Sequence, residues 1–326
     1  MHRRVGGVLL VLTGLLGGVF LVSLRLGAVQ LSLGQVWGAL WSFADPTARL
    51  IVWDFRLARS LVALLVGAAQ GAAGAVVQGV LRNPLGDPHI LGVSGGATFV
   101  AVTVLTALPQ VPMRLVPALA LPGGVLAGAL AYRLAWKGGV APDRLALSGV
   151  AVGALFSAGT TIVVVNSPYK ITQSMIWLSG SLWGRSWEHL LALWPWVVPS
   201  LLIIFIMASK INVLTLGDDV ARGLGVRVDA VRLLLTGLAS ILAASAVAVA
   251  GPIGFVGLTV PHLARLLVGT DHRSALPVAT LLGAVLVLAA DTAGRTLVAP
   301  LEIPAGVVTA LLGAPYFLYL LRKGQA

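Results

Sequence analysis

No cysteine occurs in the 326 residues. That excludes disulfides, thiol nucleophiles and thiolate metal sites, and it leaves the redox compartment open. Charge is scarce too: Asp, Glu, Lys and Arg make up 10% of the chain, against 58% hydrophobic residues and a mean hydropathy of +0.98. A soluble domain of this size needs far more charge to cover its surface, so this is the composition of an integral membrane protein. The dipeptide Gly-Lys is absent as well, and with it the P-loop; if ATP drives this protein, another chain binds it. Five histidines (His2, His89, His189, His262, His272) form neither a His-Glu-x-x-His pattern nor an i,i+4 zinc pair.

What is present is a series of ten apolar runs. They cover Val5 to Leu24, Ser60 to Leu81, Ile90 to Leu108, Leu115 to Ala135, Leu145 to Val165, Leu190 to Met207, Leu233 to Ala250, Ile253 to Val268, Ala275 to Ala290 and Ala305 to Leu321. A helix needs ~20 apolar residues to cross the hydrocarbon core, ~17 where the bilayer thins, so several runs are short. Continuous Leu, Ala, Val and Gly argue for helices, because barrel strands alternate apolar and polar residues. The expected fold is all-α, a single membrane domain over residues 1–326. The first run follows Arg3 and Arg4 but lacks a small-x-small cleavage site, so it reads as a retained helix. Ten spans put both termini on one side. If that side is the cytoplasm, 14 of the 22 Lys and Arg lie inside and 8 outside, as the positive-inside rule requires. The net charge of +11 is dispersed over loops on both faces, which fits a membrane protein with no nucleic-acid partner.

Three polar segments are long: Arg25 to Arg59, Asn166 to His189 and Ser209 to Arg232. In the third, "LGDDVARGLGVRVDAV", Asp218 is an N-cap candidate, Asp219 suits a first turn, and Gly223 and Gly225 suit a left-handed stop. A short surface helix over Asp218 to Arg222 is expected; it serves either as a connector or as a contact element. The second places Pro168 after a span, then a weakly amphipathic stretch, Ile171 to Leu178, with Trp177, Trp183 and Trp187 at headgroup level. Ionisable residues within spans are few: Arg133, Arg232, Arg265 and Asp291, all near span ends. That weakens an ion-coupled secondary transporter, which places such groups at mid-depth. An intramembrane enzyme would need a convergent Ser/His or Asp pair in the spans, and none is recognisable. Arg56, Arg59 and Arg295 sit at outer span ends. Local pairing of Asp54 with Arg56 and of Asp291 with Arg295 is one account; an arginine surface for a partner's carboxylates is the other.

Three motifs, "RNPLGDPHILGVSGGATF" (Arg82 to Phe99), "GPIGFVGLTVPHLARLLVGTDHR" (Gly251 to Arg273) and "EIPAGVVTALLGAPYFLYLL" (Glu302 to Leu321), resemble the signature blocks of the FecCD family, the permeases of ABC importers for iron-siderophores, heme and cobalamin. The resemblance spans essentially the whole chain. It implies a type II ABC importer permease fold, a homodimer of twenty helices in the cytoplasmic (inner) membrane, an ATPase dimer beneath and a periplasmic or lipid-anchored binding protein above. ATP and Mg would sit on the ATPase, with no cofactor on this chain. By the same resemblance the 209–232 loop carries the ATPase-coupling segment, with Leu216, Gly217, Asp218, Asp219, Ala221, Arg222, Gly223 and Gly225. Arg56, Arg59 and Arg295 would receive the binding protein's glutamates, and the fifth and tenth spans with the stretch after the fifth would line the pathway between the two copies. Asn83, Pro84, Gly92, Pro261, His262 and Arg265 belong to the motifs. Pro261 is expected to kink or interrupt the eighth span and Arg265 to snorkel to the headgroups, shaping the cytoplasmic floor. Iron-siderophore import is the leading reading, heme or cobalamin import the alternative.

Overall fold

The computed structural model describes residues 2–42, 45–108, 110–166 and 171–323. In chain order the helices are α1 (His2–Arg25), α2 (Leu33–Trp41), α3 (Pro46–Arg49), α4 (Ala58–Leu81), α5 (Val93–Ala107), α6 (Val116–Ala135), α7 (Pro142–Val165), α8 (Ile171–Leu178), α9 (Trp187–Ile206), α10 (Ala208–Thr215), α11 (Asp218–Gly223), α12 (Val228–Ala250), α13 (Val256–Val268), α14 (His272–Gly294) and α15 (Ala305–Arg322). There is no strand among the described residues, only an isolated bridge between Trp136 and Val140. Each of the ten apolar runs coincides with a helix. Seven are long and apolar enough to cross a membrane; α5, α13 and α15 are apolar but shorter. The 13 residues of α13 reach only ~20 Å.

The sequence of α4 explains its central place. It is buried on nearly every side and mostly apolar, and small residues at Gly67, Gly71 and Gly74 let other backbones close on it. A Cβ on Gly67 would lie 2.1 Å from the Gly283 carbonyl oxygen of α14, and one on Gly74 would lie 2.0 Å from that of Gly257 in α13. α12 packs on α4 as well, so α4, α12, α13 and α14 form the core, and α1 and α7 keep most of their surface turned outward.

The interruption expected at Pro261 lies elsewhere. α13 runs unbroken through Pro261, while the non-helical stretch is Gly251 to Phe255, with φ of +73° at Gly251 and +68° at Phe255. Its backbone is covered by protein: a Cβ on Gly251 would meet the Trp177 carbonyl oxygen at 2.2 Å. Irregular backbone at membrane depth survives only where it is buried in this way or lines a cavity. α8 spans Ile171–Leu178 as expected, but Trp177 is buried with Arg185 over its ring, 5.0 Å from the centroid, and only Trp183 stands exposed. Pro168 lies outside the described residues.

Candidate functional site

α4 joins two polar ends. At its start, a wide-turned π-helical segment, Leu50–Leu57, carries Arg56 into the bundle. The Arg56 guanidinium donates to the carbonyls of Leu24 and Arg25 (both 2.8 Å) and to that of Val29, and Arg295 donates to Ser23. The last carbonyls of α1 have no partner within their helix, and they carry the negative end of its dipole, so two cations there satisfy both needs. Neither local pairing expected from spacing forms. Asp291 instead pairs with Arg59 at 2.8 Å, and Arg59 also holds Glu302 at 2.9 Å. Arg56, Arg59 and Arg295 are therefore buried and internally bonded rather than freely exposed at a rim. All three line one open cavity of about 610 Å³, together with Arg185, Asp54 and Glu302. Burial and the Arg59 charge lower the Arg185 pKa to about 10. Arg185 and Glu302 escaped the sequence reading, since no helical spacing links either to Arg59.

At the other end of α4, Arg82 adopts a left-handed cap (φ +51°), and "NPLGDPHIL" turns the chain toward α5. Asn83 Oδ1 accepts from the Leu85 amide at 2.9 Å, closing an Asx turn that has Pro84 at its centre. Gly92 is left-handed (φ +77°) and lies against α7, where a Cβ would sit 2.8 Å from the Gly149 oxygen. By its letters Gly92 to Gly96 fits a Gly-x-Ser-x-Gly elbow, but Ser94 is buried in the first turn of α5 and no strand precedes it, so the elbow geometry is absent.

Gln78 supplies the answer to Pro261. Proline has no N–H for the Gly257 carbonyl four residues back, and its ring pushes that carbonyl away. The Gln78 side-chain amide fills the gap, donating to the carbonyls of Gly257 (3.4 Å) and Leu258 (3.1 Å), and Gln78 Oε1 accepts from Arg265 at 2.6 Å. Arg265 thus turns inward to Gln78 instead of snorkelling. His262 stacks edge-on to Tyr316 at 6.3 Å. Replacing Gln78 with leucine orphans the Gly257 carbonyl and takes the Oε1 acceptor from Arg265, with an expected loss of about 1–3 kcal/mol. Thermal unfolding in detergent checks this; an unchanged midpoint would refute the Gln78 role. Arg82, Asn83, Pro84, Leu216, Arg265 and His272 line a cavity of about 490 Å³ at this end.

α11 sits beside that cavity. Gly217 (φ +106°), not Asp218, occupies the N-cap position, and Asp218 opens the helix. Its carboxylate accepts from Arg232 at 2.7 and 3.1 Å and from Arg82 at 3.0 Å. The hydrogen bond from Arg232, aided by the Arg82 and Arg222 charges, holds the Asp218 pKa below its ordinary value. The contribution of this pairing is therefore in place above the ordinary carboxylate range and fades only as pH falls through the lowered value. Asp219 is fully exposed and meets Arg222 at 3.4 Å. The helix ends in a Schellman motif, with Val226 N donating to Ala221 O (3.0 Å) and Gly225 N to Arg222 O (2.9 Å). Gly225 (φ +78°) provides the left-handed residue, and Gly223 is merely the last helical one. Ala221 is buried beneath. Leu216, Val220 and Leu224, four residues apart, are 60%, 50% and 62% exposed.

Among the described residues no three His, Asp or Glu side chains gather as a metal site. Residues 14–323 match the FecCD transport family. The chain belongs to that family. It is 41% identical over 314 residues to the Fe(3+)-citrate import system permease protein YfmE of Bacillus subtilis, covering 96% of this chain and 94% of the other. It is 45% identical over 301 residues to the cobalamin import system permease protein BtuC of Halobacterium salinarum, covering 90% and 81%. A solved metal-chelate type ABC transporter in an inward-facing conformation superposes with a TM-score of 0.86 at 34% identity, over 98% of this chain and 99% of that one. As a FecCD protein the chain is a permease subunit of an ABC importer of the metal-chelate type, not an enzyme; ATP hydrolysis belongs to a separate chain.

Proposed function

We infer that the chain is the permease of an importer that carries an iron-siderophore complex across the cytoplasmic membrane by alternating access. The observation that carries the ATP-driven reading is α11: a short helix, held by the Asp218–Arg232 ion pair, that with its flanking residues presents the stripe Leu216, Val220 and Leu224 outward. An exposed apolar stripe on a rigid element outside the spans fits a surface that a partner covers. The partner is the cytoplasmic ATPase, which also carries ATP and Mg; this chain binds no cofactor. Both termini then lie in the cytoplasm with α11.

The arginine-lined cavity faces the other way. An extracytoplasmic binding protein docks there, with its carboxylates meeting Arg56, Arg59 and Arg295 inside the cavity mouth, and whether that protein is periplasmic or lipid-anchored is decided by its own sequence. Two copies of the chain pair with lipid around them, and α7 and α15, whose outward faces are apolar, line the path between them. Four arginines against two carboxylates at the mouth suit an anionic ferric chelate. A cobalamin cargo is the second reading, favoured by the BtuC similarity. Calorimetric titration of the purified binding protein with ferric citrate, ferric hydroxamates, heme and cobalamin tests the choice. Tight binding of a ferric chelate alone is expected; binding of cobalamin or heme alone would overturn the iron reading.

A further inference from the structure

Four chain segments meet at Asp218. The carboxylate belongs to α11, its bidentate partner Arg232 to α12, and its third donor Arg82 caps α4. Arg232 Nη1 also donates to the carbonyl of Val140 at 2.6 Å, in the turn that leads into α7. Arg232 is 1% exposed and reaches from the interior to the partly exposed Asp218 carboxylate. The covalent route from α11 to α12 is the turn 224–227, closed on the α11 side by the Gly225 and Val226 amides, while the Arg232 fork links the two helices side chain to side chain. A planar fork bonded on both sides fixes distance and orientation together.

We propose that Arg232 is a positioning residue for transport, transmitting displacement of α11 to the start of α7 through Asp218 and Val140. This rests on the reading of α11 as the ATPase contact. Beyond Val140 the path is stiff. α7 begins at Pro142, and at Gly149 its backbone touches the 88–92 turn so closely that a Cβ would fall 2.0 Å from the Ile90 oxygen. A shift entering at Val140 therefore moves α7 as a rod against that turn. Because α7 is weakly buried over most of its length, such movement disturbs little core packing.

The test is the ratio of substrate imported to ATP hydrolysed by the complete transporter, with ATPase and binding protein, in proteoliposomes. Arg232→Met is expected to lower that ratio about tenfold while ATP hydrolysis continues. Arg232→Lys, which keeps the charge on Asp218 but cannot hold a bidentate fork and Val140 together, should recover part of it. Asp218→Asn, nearly isosteric, should fall between wild type and Arg232→Met and serves if the methionine variant does not assemble. An unchanged ratio in Asp218→Asn, or import and hydrolysis falling in step in all three variants, would overturn the proposal. Val220→Asp on the exposed stripe separates the two ideas. If it leaves ATPase association intact, the ATPase-contact reading itself fails. If it abolishes association while the Arg232 and Asp218 variants keep the wild-type ratio, only the transmission through Arg232 fails.

Discussion

Replacing Asp291 with alanine is expected to cost about 3–5 kcal/mol of stability, because it leaves the buried Arg59 without its inner carboxylate. The partner geometry makes the expectation asymmetric. Asp291 has 1% of its side chain exposed and touches both Nε and Nη2 of Arg59, whereas Glu302 is 31% exposed at the cavity mouth. Water can replace Glu302 on the guanidinium, so Glu302→Ala should cost about 1 kcal/mol or less. Thermal unfolding of the full chain in detergent compares the two. Equal losses would contradict the assignment of Asp291 as the inner counter-ion.

The second large effect is steric. Gly67→Val puts a branched side chain where even a Cβ would stand 2.1 Å from a backbone oxygen of α14, and backbone cannot yield as a flexible side chain does. We expect loss of the folded, monodisperse protein on size exclusion. Gly18→Val is the control: nothing lies within 4 Å of its Cβ position in α1, and the variant should be recovered like the wild type. Normal recovery of Gly67→Val would mean that α4 and α14 do not pack through their glycines.

Elements legible in the sequence were those set by local rules. Apolar runs located the ten helices, and the bounds of α8 were readable from its amphipathic stretch. α11 was visible because its acids, its length and Gly225 obey helix-end chemistry. The polar contacts that organise the site were not legible, because they join residues far apart in the chain. Arg59 finds Asp291 across 232 positions and Arg265 finds Gln78 across 187. Two local guesses failed for a common reason: Arg56 and Arg295 are drawn to the open carbonyls of α1, which no spacing rule on their own helices reveals. Pro261 misled because its disruption is repaired from another helix, by Gln78. The N-cap expectation at Asp218 missed since that carboxylate is engaged by two arginines instead of its own backbone.

ATP-driven import is the central claim, and uptake into proteoliposomes tests it most directly. The chain is reconstituted with its ATPase and binding protein, and radioactive ferric siderophore is supplied outside with ATP at the ATPase face. Uptake that needs ATP and the binding protein, and that stops when the ATPase is omitted, is the predicted result. Uptake that persists without ATP and follows an imposed ion gradient would contradict it.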